Sequence, residues 1–145
     1  MNLSSTIMLV AASLATATLS TGAAFAQSAP TPDGAYKGTM VCPLPGERVL
    51  RVPLDIVIAE NSVQFARPIL DDNGRVFGNE MGTGTVEGTS LHLKSSGHSG
   101  RARYEASYNG ELTPEGGTLT GTQAWTVNAE TRLRACTAAF VKIHS

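Results

Sequence analysis

No block of one charge sign occurs in this 145-residue chain, whose 11 Lys and Arg stand against 12 Asp and Glu for a formal net charge of -1. That absence argues against a nucleic-acid or membrane-surface binder, both of which need clustered basic residues. The three histidines, His92, His98 and His144, have no spacing to one another or to a cysteine that suggests a metal site. G-x-S-x-G, H-E-x-x-H and a phosphate-cradling glycine loop ahead of a helix are all missing. The expectation is a non-enzymatic protein with no catalytic residue, no metal and no cofactor. No segment has the spacing of an amphipathic helix.

Charge is also missing from the beginning of the chain, where no charged side chain precedes Asp33. Ile7 to Leu19 is apolar or small, and Ala24-Phe25-Ala26 supplies an A-x-A cleavage site ahead of Gln27. These features predict a secretory signal peptide over 1–26, a flexible leader over 27–33, and one domain over 34–145. The many Ser and Thr argue against an anchor, which needs about 20 apolar residues, so no stable membrane insertion is expected after cleavage. The predicted location is periplasmic or secreted. Cysteine is scarce too: Cys42 and Cys136 are the two in the chain, and in an oxidising compartment they predict one disulfide.

What is present is strand periodicity. In Arg101 to Val127, Tyr104, Ala106, Tyr108, Gly110 and Leu112 alternate with polar residues. After Pro114 and Glu115 the alternation resumes with Leu119, Gly121, Gln123, Trp125 and Val127 on one face, which reads as a long antiparallel hairpin. Similar runs span Ala35 to Cys42, Arg48 to Ala59, Ser62 to Leu70, Arg75 to Val86, Ser90 to Ser95 and Glu130 to Ile143. A two-residue turn at Glu60-Asn61 would set Pro53 opposite Pro68 on a rung where both would normally donate. Gly78, Gly82 and Gly84 mark the fourth run as one long bent strand, with two short ones as the alternative. Ser96 to Gly100 reads as a flexible loop.

Eight strands with short connections form an antiparallel meander. A disulfide needs its Cα atoms within about 7 Å, which an open sheet eight strands wide does not allow its first and last members. The cysteines therefore predict a closed all-β, up-and-down barrel, with a two-sheet sandwich as the alternative.

Polar residues fall by parity among apolar ones. Arg67 lies between Phe65 and Ile69, Gln123 between Leu119 and Trp125, and Arg132 and Arg134 share the face of Cys136. A buried arginine is costly unless paired, and an eight-stranded barrel either fills with side chains or holds one small ligand. The functional reading is a polar pocket near one mouth, with Tyr104, Tyr108 and Trp125 as walls and Arg67, Gln123 and Arg134 as handles. The alternative is that the arginines reach solvent at the barrel ends or pair with Glu80 or Glu105. A second functional reading takes the 96–103 loop, with Ser99, Arg101 and Arg103, as a tip that enters an acidic cleft on a partner protein.

The segments DGAYKGTMVC (33–42), FARPI (65–69), GTGTV (82–86), LTGTQAW (119–125) and R-x-C (134–136) resemble a family of small exported alphaproteobacterial proteins of unknown function. That resemblance implies export and a compact domain, and it brings no activity. In architecture the chain is similar to avidin-like and lipocalin-like meanders, from which no binding residue transfers. Ser95 to Tyr104, SSGHSGRARY, is similar to the S-G-x-x-Y loop of periplasmic lysozyme inhibitors, with the tyrosine one residue further along. The two implied functions are an exported module binding a small molecule or cell-envelope component, and a hydrolase inhibitor.

Overall fold

The computed structural model describes residues 32–71 and 73–144. The expected signal peptide, and the leader as far as Thr31, lie outside them. Eight strands follow one another: β1 (Gly34–Pro43), β2 (Val49–Ala59), β3 (Ser62–Leu70), β4 (Val76–Glu87), β5 (Ser90–Ser99), β6 (Ala102–Thr113), β7 (Gly116–Val127) and β8 (Glu130–Lys142). Each pairs antiparallel with the next, and β8 returns to β1, closing the barrel. The Cys42–Cys136 disulfide crosses that seam with Cα atoms 4.3 Å apart, the spacing of a non-hydrogen-bonded antiparallel pair. It closes a sequence separation of 94 residues, which on the chain-entropy account stabilises by about 4 to 5 kcal/mol. Such a bond suits an oxidising, extracytoplasmic environment.

Local chemistry sets the connections. Glu60-Asn61 and Asn128-Ala129 have positive φ at both residues, the two-residue turn whose twist matches a hairpin. Gly82 and Gly84 keep β4 whole and let it press on β5. A Cβ at Gly82 would lie 2.5 Å from the Lys94 carbonyl oxygen, and one at Gly84 1.9 Å from that of His92.

Two expectations need correction. Ser96 to Ser99 are not a flexible loop: they extend β5 and pair with Glu105 to Ala102 of β6, leaving Gly100-Arg101 as the turn. Pro53 and Pro68 do not form a rung. The β2–β3 ladder ends at Asp55–Ala66, one hydrogen-bonded rung before the two prolines would meet without a donor between them. The outer ladders are spared, since Pro53 keeps its place beside Thr39 of β1 and Pro68 beside Asn79 of β4.

The same device opens the seam. Ile143 N–H donates to Ala35 C=O, so odd-numbered β1 residues exchange hydrogen bonds with β8. Pro43 would be the next to donate beyond Val41–Thr137, and there the β1–β8 ladder stops. Both partings lie at the end that carries the β1–β2, β3–β4, β5–β6 and β7–β8 connections, called the mouth below.

Side chains fill the interior in layers. From the opposite end, Tyr36, Met40, Ile56, Phe65, Leu91, Tyr108, Leu119 and Phe140 belong to one apolar cluster. A second, smaller cluster of Ile69, Ala102 and Tyr104, with Trp125 and Val127 against it, lies at the mouth. The next inward position along β3, β4, β5, β7 and β8 falls between the two and is polar: Arg67, Glu80, Ser95, Gln123 and Arg134. Outward positions include Lys37, Asp55, Lys94, Arg103 and Glu105, unlike the apolar band of a lipid-embedded barrel.

Candidate functional site

The polar layer is organised by Glu80, which is fully buried on β4 beside its cross-strand neighbour Arg67. Arg67 Nη2 and Gln123 Nε2 each donate to Glu80 Oε2 at 2.5 Å. Ser95 Oγ and Tyr108 Oη donate to Oε1 at 2.5 and 3.2 Å. Four donors on two oxygens use the acceptor capacity of an ionised carboxylate. Arg67 and Glu80 form an ion pair with side chains 1% and 0% exposed, the arrangement that makes a buried arginine tolerable.

Gln123 relays the network outward. Its Oε1 accepts from Arg134 Nε at 2.6 Å, while its amide nitrogen serves Glu80. The reverse orientation would set a carbonyl against a carboxylate and an NH2 against a guanidinium, so both neighbours fix the amide. The Arg134 side chain has no other hydrogen bond and no ion pair among the described residues. Burial lowers its pKa, and the nearby positive charge of Arg67 lowers it further. Burial also raises the pKa of Tyr108, with the Glu80 charge adding to the effect. Tyr104 is raised by burial as well, against the opposing pull of Arg134 and Arg67.

Above this layer Tyr104 and Trp125, paired across β6 and β7, stack with rings 5° from parallel and centroids 6.4 Å apart. Among the described residues two buried side-chain donors remain without an acceptor, Arg67 Nε and Trp125 Nε1. Each unmade bond of this kind costs about 1 to 3 kcal/mol.

A cavity of about 300 Å³ opens beside Trp125, between the Pro43–Pro45 segment and the edge of β8 past the end of its ladder with β1. Trp125, Arg134 and Ala135 border it, and the disulfide rung lies at its inner end. This notch is at the small end of the usual volume range for ligand sites. A larger concavity of about 530 Å³ lies on the outer wall across β2 to β5, lined by Val57, Gln64 and Met81 among others. It touches neither the polar layer's arginines nor Trp125.

The structure brings together all six residues of the sequence-derived pocket. Arg67, Tyr108, Gln123 and Arg134 join through Glu80, and Tyr104 and Trp125 stand above them. Tyr108 is not a wall of an open pocket: it is 1% exposed and belongs to the floor. Of the alternative partners for the arginines, Glu80 takes Arg67, whereas Glu105 is exposed on the outer face and Arg132 reaches solvent. The partner-loop residues are not a single tip. Ser99 is turned inward and donates to the Phe77 carbonyl at 3.4 Å, Arg101 is at the turn, and Arg103 is on the outer face of β6. Among the described residues no group of three or more His, Cys, Asp or Glu is placed to hold a metal ion.

Sequence reasoning missed Glu80 as the centre. The available signal was parity, since Glu80 shares the inward register of β4 with Gly78, Gly82, Gly84 and Val86, and the glycines masked the alternation. No protein-family model matches the chain, and no curated protein matches it.

Proposed function

We propose that this is an exported, non-enzymatic β-barrel that binds a small molecule or cell-envelope component in the notch beside Trp125. The observation that carries this reading is a notch walled by Trp125, whose buried Nε1 has no acceptor, and by Arg134, whose guanidinium has Gln123 as its one side-chain partner among the described residues. Native interiors leave few such groups, and a bound acceptor would relieve the cost. The solid interior keeps the ligand at the rim, and the Tyr104–Trp125 stack offers it an apolar face. Export is supported by the signal-peptide features of residues 1–26 and by the disulfide.

The chain has one tryptophan, so its intrinsic fluorescence reports on the notch alone. Titration against a panel of small metabolites and envelope fragments should give a saturable change with at least one member. Silence across a broad panel would refute the reading.

A further inference from the structure

We propose that the ligand of the notch is a small monocarboxylate with a flat apolar body. This rests on the reading of the notch as a binding site and adds the chemical class. The first ground is a count of charges. Two guanidinium groups, Arg67 and Arg134, share the polar layer with a single carboxylate, and every acceptor position of that carboxylate is occupied by Arg67, Gln123, Ser95 and Tyr108. Gln123 passes a hydrogen bond to Arg134 but no charge. One positive charge is left over, on the guanidinium that borders the cavity. The nearest rim acid on the same strand, Glu130, faces Arg132 at 3.9 Å in an exposed pair.

The second ground is the direction of the remaining donors. Arg134 spends Nε on Gln123 and keeps its two terminal nitrogens, a fork that matches a carboxylate in two parallel bonds. Odd-numbered residues of β8 turn their backbone groups toward β1, and the ladder ends at Thr137. Leu133 and Ala135, which border the cavity, therefore turn their backbone groups toward the β1 side, where the notch lies.

The third ground is shape. Trp125, Pro43 and Pro45 present flat apolar surfaces around the cavity, with Leu44 between the prolines. A planar hydrocarbon or aromatic body fits such walls, and a carboxylate at its end meets Arg134.

The test uses three probes on the oxidised protein: phenylacetate, its neutral isostere phenylacetamide, and acetate. The readout is the single indole N–H resonance of Trp125 in a nitrogen-correlated NMR spectrum. Phenylacetate should bind about tenfold or more tightly than either control, the scale of one charge-assisted bidentate contact. The preference over the amide should vanish in R134Q and fall several-fold in R134K, which keeps the charge and loses the fork. If R134Q does not fold, R134K and the matched probes on the unaltered protein decide. Equal affinity for phenylacetate and phenylacetamide would overturn the charge selection, and equal affinity for acetate would overturn the flat body. Silence from all three probes while a neutral panel compound binds would refute the carboxylate and leave the notch as a site. Silence from every compound refutes both.

Discussion

At Glu80 four donors converge on one carboxylate, and the consequences of removing it follow from what would be stranded. Without Glu80, Arg67 becomes a buried charge with no counter-ion and Gln123 loses its acceptor. E80L should lower the unfolding free energy by about 3 to 5 kcal/mol, the cost of breaking a buried pair from one side. The double variant R67M/E80L should recover much of that loss, because no charge is then left unpaired. Urea unfolding of both variants measures the difference, and equal losses would mean that the pair is not the source. The tyrosines give a second residue-scale expectation. All three, Tyr36, Tyr104 and Tyr108, have pKa values raised above the ordinary 10.0, with burial the leading cause. Between that value and the folded ones the unfolded chain holds fewer protons than the native protein. Their contribution is therefore intact below pH 10.0 and is lost as the pH rises toward the folded values. Tyrosinate absorbance should lag behind that of free tyrosine and rise together with alkaline unfolding. Reversible ionisation of all three at the ordinary value in the folded protein would contradict the packing. Arg67, Gln123 and Arg134 could be found from sequence because each interrupts an apolar alternation. Glu80 was legible only as a possible partner for an arginine and not as the centre of the layer, because its neighbours on the inward face are mostly glycine.

Strand by strand, proline decides where the wall parts. Pro43, Pro53 and Pro68 each stand where the next hydrogen-bonded rung would need a donor, and the ladders stop short of them. In P53V/P68V the β2–β3 ladder should gain that rung. Two new hydrogen bonds contribute about 1 kcal/mol each, and the loss of two prolines costs about 0.4 to 1 kcal/mol each through the unfolded chain. Stability should therefore move little, while the new amides at 53 and 68 become protected from hydrogen exchange. Rapid exchange at both would mean that something other than proline holds the strands apart. The strand limits were legible wherever large apolar residues marked the inward face, as in β2 and β3. β5 was read short because Ser95, Gly97 and Ser99, inward residues beside the polar layer, have a loop's composition. Pairing with β4 and β6 overrides that local signal.

For the whole molecule, closure was legible because two cysteines and an even strand count left few ways to bring the chain ends together. The notch was not, since it depends on how far past the disulfide the first and last strands stay paired. Seam and site share one location: Cys42–Cys136 locks the last closed rung, and the wall opens on the next. Both the binding reading and its carboxylate preference require that opening. Residue-resolved hydrogen exchange along β8 tests it most directly. Thr137, Ala139 and Val141 donate across the seam to β1 and should exchange slowly, whereas Leu133, past the end of that ladder and bordering the notch, should exchange orders of magnitude faster. Protection at Leu133 equal to that at Thr137 would mean that the seam is zipped past Pro43 and that the notch does not exist.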